Sequence, residues 1–146
     1  MHLLFVCTGN TCRSPMAQAI ADSMIRAIEP KAIAITTDSA GVAAGDGYSA
    51  SAQAIEVLNE RGIDLGTHRS KPLSLELIDW AQIIFTMTPA HAQVIIEHAP
   101  QAADKTLALD ANHPVADPFG QPVEVYRQVA DELETLIQSR LEEILR

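Results

Sequence analysis

Cys7 and Arg13 bracket five residues, Thr8-Gly9-Asn10-Thr11-Cys12, and Ser14-Pro15 follow directly. Upstream lies the apolar run Leu3-Leu4-Phe5-Val6, and downstream a stretch with helical patterning. A loop between a strand and a helix N-terminus can aim several backbone N–H groups at one small concave spot, which favours an anion. A thiol held in such a spot ionises readily and becomes a nucleophile. A guanidinium beside it carries the planar fork that binds two phosphoryl oxygens at once, which lysine cannot reproduce. These residue types in this order point to chemistry on a phosphoryl group, with Cys7 as nucleophile and Arg13 as its charge partner.

Such chemistry also needs a proton for the leaving group. The candidate donor is Asp117, in Asp117-Pro118-Phe119-Gly120, where Pro118 stiffens the loop and Phe119 can wall a pocket. Asp117 is expected to protonate the leaving atom and then to activate water against a phosphocysteine. Gly9 is expected to permit a backbone angle the loop needs, and Asn10 tolerates a left-handed conformation while bonding the backbone. Ser14 can offer its hydroxyl to the Cys7 sulfur and ease its departure. Thr8, Gly9, Asn10, Thr11, Cys12 and Ser14 are thus expected around the anion, with Phe119 at its edge. Cys12 suits a loop-packing role as well as a redox one. The scheme calls for no metal and no cofactor.

The elements that must position these residues alternate along the chain. Residues 2–6 read as a central parallel strand. Pro15 fits the first turn of a helix with Ser14 as its cap, and Pro30 marks its end. Gln18, Asp22, Arg26 and Glu29 share one face of that helix, and Met16, Ile20, Met24 and Ala27 another. A second strand is predicted over 33–37, ahead of Ser39-Ala40-Gly41. A helix over 51–60 and a short one over 74–79 follow, then a strand over 82–87 and a helix from Pro89 to near Pro100. Residues 106–109 read as a fourth strand. Residues 122–145 carry an apolar stripe at Tyr126, Val129, Leu133, Leu136, Leu141 and Ile144, beside Arg140. This alternation predicts an α/β fold, an open and mainly parallel sheet with helices on both faces. Ligands bind outside the carboxyl ends of such strands, where the loops holding Cys7 and Asp117 both lie.

Composition narrows the alternatives. A chain of 146 residues with 47% apolar content suits one domain, 1–146, with a sizeable core. The formal net charge of −9 argues against general binding to nucleic acid or anionic membranes. Many acids fall between Glu124 and Glu143, suited to an exposed helical face. The two cysteines both lie in the opening loop, so structural disulfides are not expected. The N-terminus lacks the basic region and apolar length of a signal peptide, and no run approaches membrane-spanning length, so a cytoplasmic protein is the expectation; a monomer is expected as well. Gly45-Asp46-Gly47-Tyr48-Ser49-Ala50 loosely matches a dinucleotide fingerprint but does not follow the first strand, and its glycines more simply make a loop. His91 and His98 are poorly spaced for chelation.

With these motifs in view, the chain resembles the low-molecular-weight protein phosphatases across essentially its whole length. Cys7 to Pro15, Ser39-Ala40-Gly41 and Asp117-Pro118 match in order and spacing. The resemblance implies a three-layer α/β/α arrangement with a four-stranded parallel sheet, a phosphocysteine intermediate, and phosphorylated proteins as substrates. It implies that Asn10 and Ser39 help to hold the loop, and that Cys12 can form a protective disulfide with Cys7 on oxidation. Tyrosine phosphatases of the family usually have isoleucine four residues after the nucleophile, where this chain has Thr11, and paired tyrosines after Asp-Pro, where it has Phe119-Gly120. Thr11 and Asp-Pro-Phe-Gly look like the protein-arginine-phosphatase branch. A threonine hydroxyl suits guanidinium nitrogens, and an isoleucine wall suits a phenyl ring. The alternative is a tyrosine phosphatase on the same scaffold. Thioredoxin-coupled arsenate reductases share a similar loop but need further cysteines. A phosphocysteine carrier of a sugar-transport system has no need of Arg13 or Asp117, and a non-catalytic phosphate-binding module leaves Cys7 unexplained.

Overall fold

The computed structural model describes residues 1–28 and 33–146. The predicted helix end at Pro30 and the placement of Glu29 lie outside the described residues. Strand β1 (His2–Cys7) is followed by helix α1 (Arg13–Ala27), β2 (Thr36–Gly41), α2 (Ala52–Glu60) and α3 (Leu75–Trp80). Then come β3 (Ile83–Thr86), α4 (Pro89–His98), a 3-10 helix over Pro100–Lys105, β4 (Thr106–Ala108) and α5 (Val123–Ile144). The four strands form one parallel sheet in the order β2-β1-β3-β4.

β1 is central and buried on both faces, which is why its sequence runs apolar without alternation. Leu3 and Phe5 face a core shared with α1, α2 and α5, whereas Leu4 and Val6 face a smaller one that includes Ile78, Ile84 and Ile95. All four side chains are at most 1% exposed. Burial of each contributes about 1.5–3 kcal/mol, enough to hold the strand rigid up to Cys7 at its carboxyl end.

Two elements differ from their sequence reading. β2 starts at Thr36 and includes Ser39-Ala40-Gly41. It pairs with β1 from His2↔Thr36 to Cys7↔Gly41, so backbone register places the strand rather than the Ile33–Ile35 apolar stretch. Ile33 is left 41% exposed. Helix α1 begins at Arg13 with Cys12 in the cap position and no side-chain cap. Ser14 is therefore not the cap, because its hydroxyl is engaged with Cys7 and Asn10.

Along α5 the buried stripe is Tyr126, Val129, Ala130, Leu133, Ile137 and Leu141. Ile137 takes the fully buried place expected of Leu136, which is only partly buried. The Arg140 guanidinium lies over the Phe85 ring and donates to the carbonyls of Ala108 and Leu109. It thereby ties α5 to the end of β4, just before the chain that carries Asp117.

Candidate active site

The loop from Cys7 to Arg13 closes around Asn10, a fully buried residue with φ of 57°. The left-handed turn expected of this loop falls there and not at Gly9, whose added Cβ would meet only the Thr11 hydroxyl, at 3.7 Å. Asn10 Nδ2 donates to Ser14 Oγ at 2.8 Å and to Ser39 Oγ at 3.0 Å, and its Oδ1 accepts from the Lys71 N–H at 3.0 Å. The His68 ring donates from Nε2 to the Asn10 carbonyl at 2.8 Å, and burial holds that imidazole below its usual range, in the neutral form. Every polar group of Asn10 is thus fixed, which offsets the cost of about 1–2 kcal/mol for a left-handed L-residue.

The Cys7 sulfur receives what this scaffold directs at it. Ser14 Oγ accepts from Asn10 Nδ2, and when Cys7 is a thiolate, which can only accept, the single Ser14 proton goes to Cys7 Sγ at 2.9 Å rather than to the Ala40 carbonyl at 3.5 Å. The Asn10 N–H points at the same sulfur from 3.3 Å. The N–H groups of Gly9, Thr11, Cys12, Arg13 and Ser14 donate to no backbone acceptor among the described residues. They make the loop and the start of α1 a nest for an anion.

Arg13 is 5% exposed. Its Nη1 donates to the Val115 carbonyl at 3.0 Å, while Nη2 lies 3.4 Å from Thr8 Oγ1 and 3.6 Å from Asp117 Oδ2. Asp117 remains half-exposed, with Oδ1 accepting the Phe119 N–H at 3.1 Å. The Pro118–Gln121 turn closes with Gly120 at φ +78°, a conformation glycine adopts without strain. Phe119 stands 71% exposed at the rim.

Cys7, Thr8, Gly9, Thr11, Cys12, Arg13, Asp117 and Phe119 together line a cavity of about 230 Å³. Of the ten residues singled out from the sequence, only Asn10 and Ser14 stand behind the loop instead of in the cavity wall. Cys12 is buried, with its sulfur 3.4 Å from Tyr126 Oη and 3.6 Å from Ser51 Oγ. Burial and the neighbouring Cys12 push Tyr126 up to about 12, so its hydroxyl stays protonated. Both cysteines are free thiols.

Sequence reading gave no role at the loop to three participants. His68 and His91 reach the loop from elements far along the chain, and Gly41 passes so close that a Cβ there would lie 2.3 Å from the Thr8 carbonyl. Their signal was positional: Gly41 ends a strand at the sheet's carboxyl edge, and His91 opens the helix that follows β3.

Known proteins share this chain's sequence and fold. The model of the family described as low molecular weight phosphotyrosine protein phosphatase matches residues 2–146. A protein-arginine-phosphatase of Geobacillus stearothermophilus is 47% identical over 149 residues, covering 98% of this chain and 95% of that protein. A solved arginine phosphatase from Geobacillus stearothermophilus superposes with a TM-score of 0.90 at 45% identity, covering 99% of this chain and 92% of that one. A solved arginine phosphatase in its C7S mutant form, with a phosphorylated active site serine, gives a TM-score of 0.93 at 36% identity over 100% of this chain and 97% of that one. With residues 2–146 spanned by the family model and a relative 47% identical over 98% of the chain, the chain belongs to the low molecular weight phosphotyrosine protein phosphatase family.

Proposed function

We propose that this phosphatase hydrolyses phosphoarginine on proteins through a phosphocysteine at Cys7. The observation that carries the substrate reading is that Thr11 and Asp117, both polar, line the same cavity as Cys7. A guanidinium entering that cavity meets polar partners where an isoleucine would offer only an apolar wall. The similarity to protein-arginine-phosphatases supports the same substrate.

In the first step the Cys7 thiolate attacks phosphorus, and the P–N bond breaks with its electron pair going to nitrogen. Asp117 gives its proton to that nitrogen, and arginine leaves. Arg13 and the open N–H groups of the loop hold the equatorial oxygens as charge develops on them. In the second step Asp117 takes a proton from water, which attacks phosphorus and displaces the sulfur. The Ser14 hydroxyl and the Asn10 N–H stabilise the departing thiolate, and inorganic phosphate is released.

Cys7, Arg13 and Asp117 come together at one edge of the sheet, which supports residues 1–146 acting as a single catalytic domain, and a monomer needs no second copy to complete the site. The two free thiols suit a reducing, cytoplasmic setting. The net charge of −9 speaks against nucleic acid as a partner. Among the described residues, no helix is long and apolar enough to cross a membrane.

Turnover of phosphoarginine and phosphotyrosine peptides by the wild type and by Thr11→Ile tests the substrate. The wild type is expected to prefer phosphoarginine, with the preference moving toward phosphotyrosine by about 10- to 100-fold in the variant. Faster wild-type turnover of phosphotyrosine peptides overturns the arginine assignment in favour of a tyrosine phosphatase.

A further inference from the structure

His91 is a buried imidazole, 7% exposed, that the mechanism above does not use. It lies in the first turn of α4, behind the N-cap Thr88. Its Nδ1 is 3.0 Å from Thr88 Oγ1, and its Nε2 is 2.8 Å from Thr8 Oγ1. That same Thr8 oxygen lies 3.4 Å from Arg13 Nη2. Thr8 is exposed and lines the cavity beside Cys7.

A neutral imidazole has one N–H, and its two tautomers give Thr8 opposite roles. With the proton on Nδ1, Nε2 must accept, and the single Thr8 hydroxyl proton is spent on His91. With the proton on Nε2, Thr8 Oγ1 accepts from both His91 and Arg13. Its own proton then turns away from both, toward the cavity.

Thr88 favours the second arrangement. Its Oγ1 accepts the His91 backbone N–H at 3.2 Å, and among the described residues Nδ1 at 3.0 Å is the acceptor within reach of its hydroxyl proton, whereas the exposed Thr8 can turn its proton to the cavity. Thr86 Oγ1 donates to the Thr88 carbonyl at 2.7 Å and holds this turn in place. The imidazole is neutral near pH 7, since burial and then Arg13 lower it to about 4 against the opposing pull of Asp117.

We propose that His91 is a positioning residue for anion binding: its Nε2–H engages Thr8 Oγ1, so that the Thr8 hydroxyl donates to an oxyanion held beside Arg13. The role rests on reading this cavity as a phosphoryl site, so the probe is inorganic phosphate, independent of which phosphorylated residue the enzyme prefers.

Phosphate affinity at pH 7 is measured for the wild type, Thr8→Val, His91→Leu and the double variant, each checked for cooperative unfolding. Each single change is expected to weaken phosphate about tenfold, and the double variant no more than either alone, because His91 acts through Thr8. His91→Gln, whose amide can still present an N–H, is expected to recover most of the loss and covers the case in which the leucine variant does not fold. Nitrogen NMR of the phosphate-bound wild type is expected to place the imidazole proton on Nε2. Multiplying losses in the double variant, or a proton on Nδ1 in the phosphate complex, overturns the role of His91 alone. A wild type that fails to bind phosphate overturns the phosphoryl-site reading, and this role with it.

Discussion

Arg13 and Val115 are joined by a hydrogen bond of 3.0 Å from Nη1 to the carbonyl, across 102 residues of chain. Val115 is itself fully buried and donates its N–H to the Met87 carbonyl at the end of β3. The guanidinium thus does two things: one nitrogen anchors the segment two residues before Asp117, and the other faces the cavity. The candidate acid and the candidate anion site are held together by the same side chain.

Arg13→Lys keeps the charge but cannot span both partners. Steady-state kinetics on peptide substrates are expected to show kcat/KM reduced by about 100-fold or more, from two charge-assisted hydrogen bonds lost in the transition state. Retention of activity within about threefold by the lysine variant contradicts the forked role.

Asn10 can be dissected by two substitutions. Asn10→Ala removes three side-chain hydrogen bonds and leaves an alanine at positive φ. Asn10→Gly removes the same bonds without the backbone strain. Chemical denaturation should show the alanine variant destabilised by about 3–5 kcal/mol and the glycine variant by about 1–2 kcal/mol less than that. Equal losses in the two variants argue against strain at this position.

Gly9 in the loop and Gly41 beside it are expected to differ. A Cβ at Gly41 meets the Thr8 carbonyl at 2.3 Å and Ala44 Cβ at 2.7 Å, both in positions with no slack. Gly41→Ala should lower stability by about 1–3 kcal/mol and weaken phosphate binding, because the loop must shift. Gly9→Ala places its methyl at ordinary contact distance and should retain most phosphate affinity. Thermal unfolding with and without phosphate measures both.

Asp117→Asn preserves shape but removes the proton. Peptide substrates, with poor leaving groups, should slow by about 100- to 1,000-fold, and aryl phosphates with good leaving groups much less. Equal slowing of both classes removes Asp117 from the role of general acid.

Acid should destabilise the fold through His91. The unfolded imidazole takes up a proton near 6.5, whereas the folded one waits until about 4. Between those values the unfolded chain binds more protons, so stability present above pH 6.5 is lost as pH falls toward 4. His68, also lowered by burial, acts in the same direction, while Asp22, raised by burial, opposes them at lower pH. Allowing for solvent near the cavity, His91 accounts for at most about 2 kcal/mol between pH 7.5 and 5. Urea titrations at the two pH values should show a smaller difference for His91→Gln than for the wild type.

The reactive loop was legible because its parts are consecutive. Cys7, Arg13 and Ser14 lie within one strand–loop–helix unit, and a buried strand feeding a helix N-terminus leaves little freedom for where they end up. The edges of β1, β3 and β4 and of most helices were read within one or two residues for the same reason, since apolar runs, caps and prolines act locally. β2 was displaced from its expected place because an edge strand's register is set by the neighbour it pairs with, not by its own apolar content. Helix α1 was misjudged at its cap because Ser14 has a stronger use seven residues back, at Cys7. The 3-10 helix over Pro100–Lys105 had no periodicity long enough to announce it.

By itself the sequence singled out the candidate nucleophile, its candidate guanidinium partner, the candidate acid and the order of strands and helices. The first two follow from residue type and spacing within a few turns of chain, the order of elements from local patterning, and Asp117 from the need for a proton donor that the loop itself does not supply. Only the tertiary structure decided that His91 reaches Thr8 across 83 residues, that His68 holds Asn10 across 58, and that Arg13 anchors Val115 across 102. Those contacts depend on how parallel crossovers return each strand's carboxyl end to one edge of the sheet. A hydrogen bond formed at that edge leaves no local pattern in either of its partners.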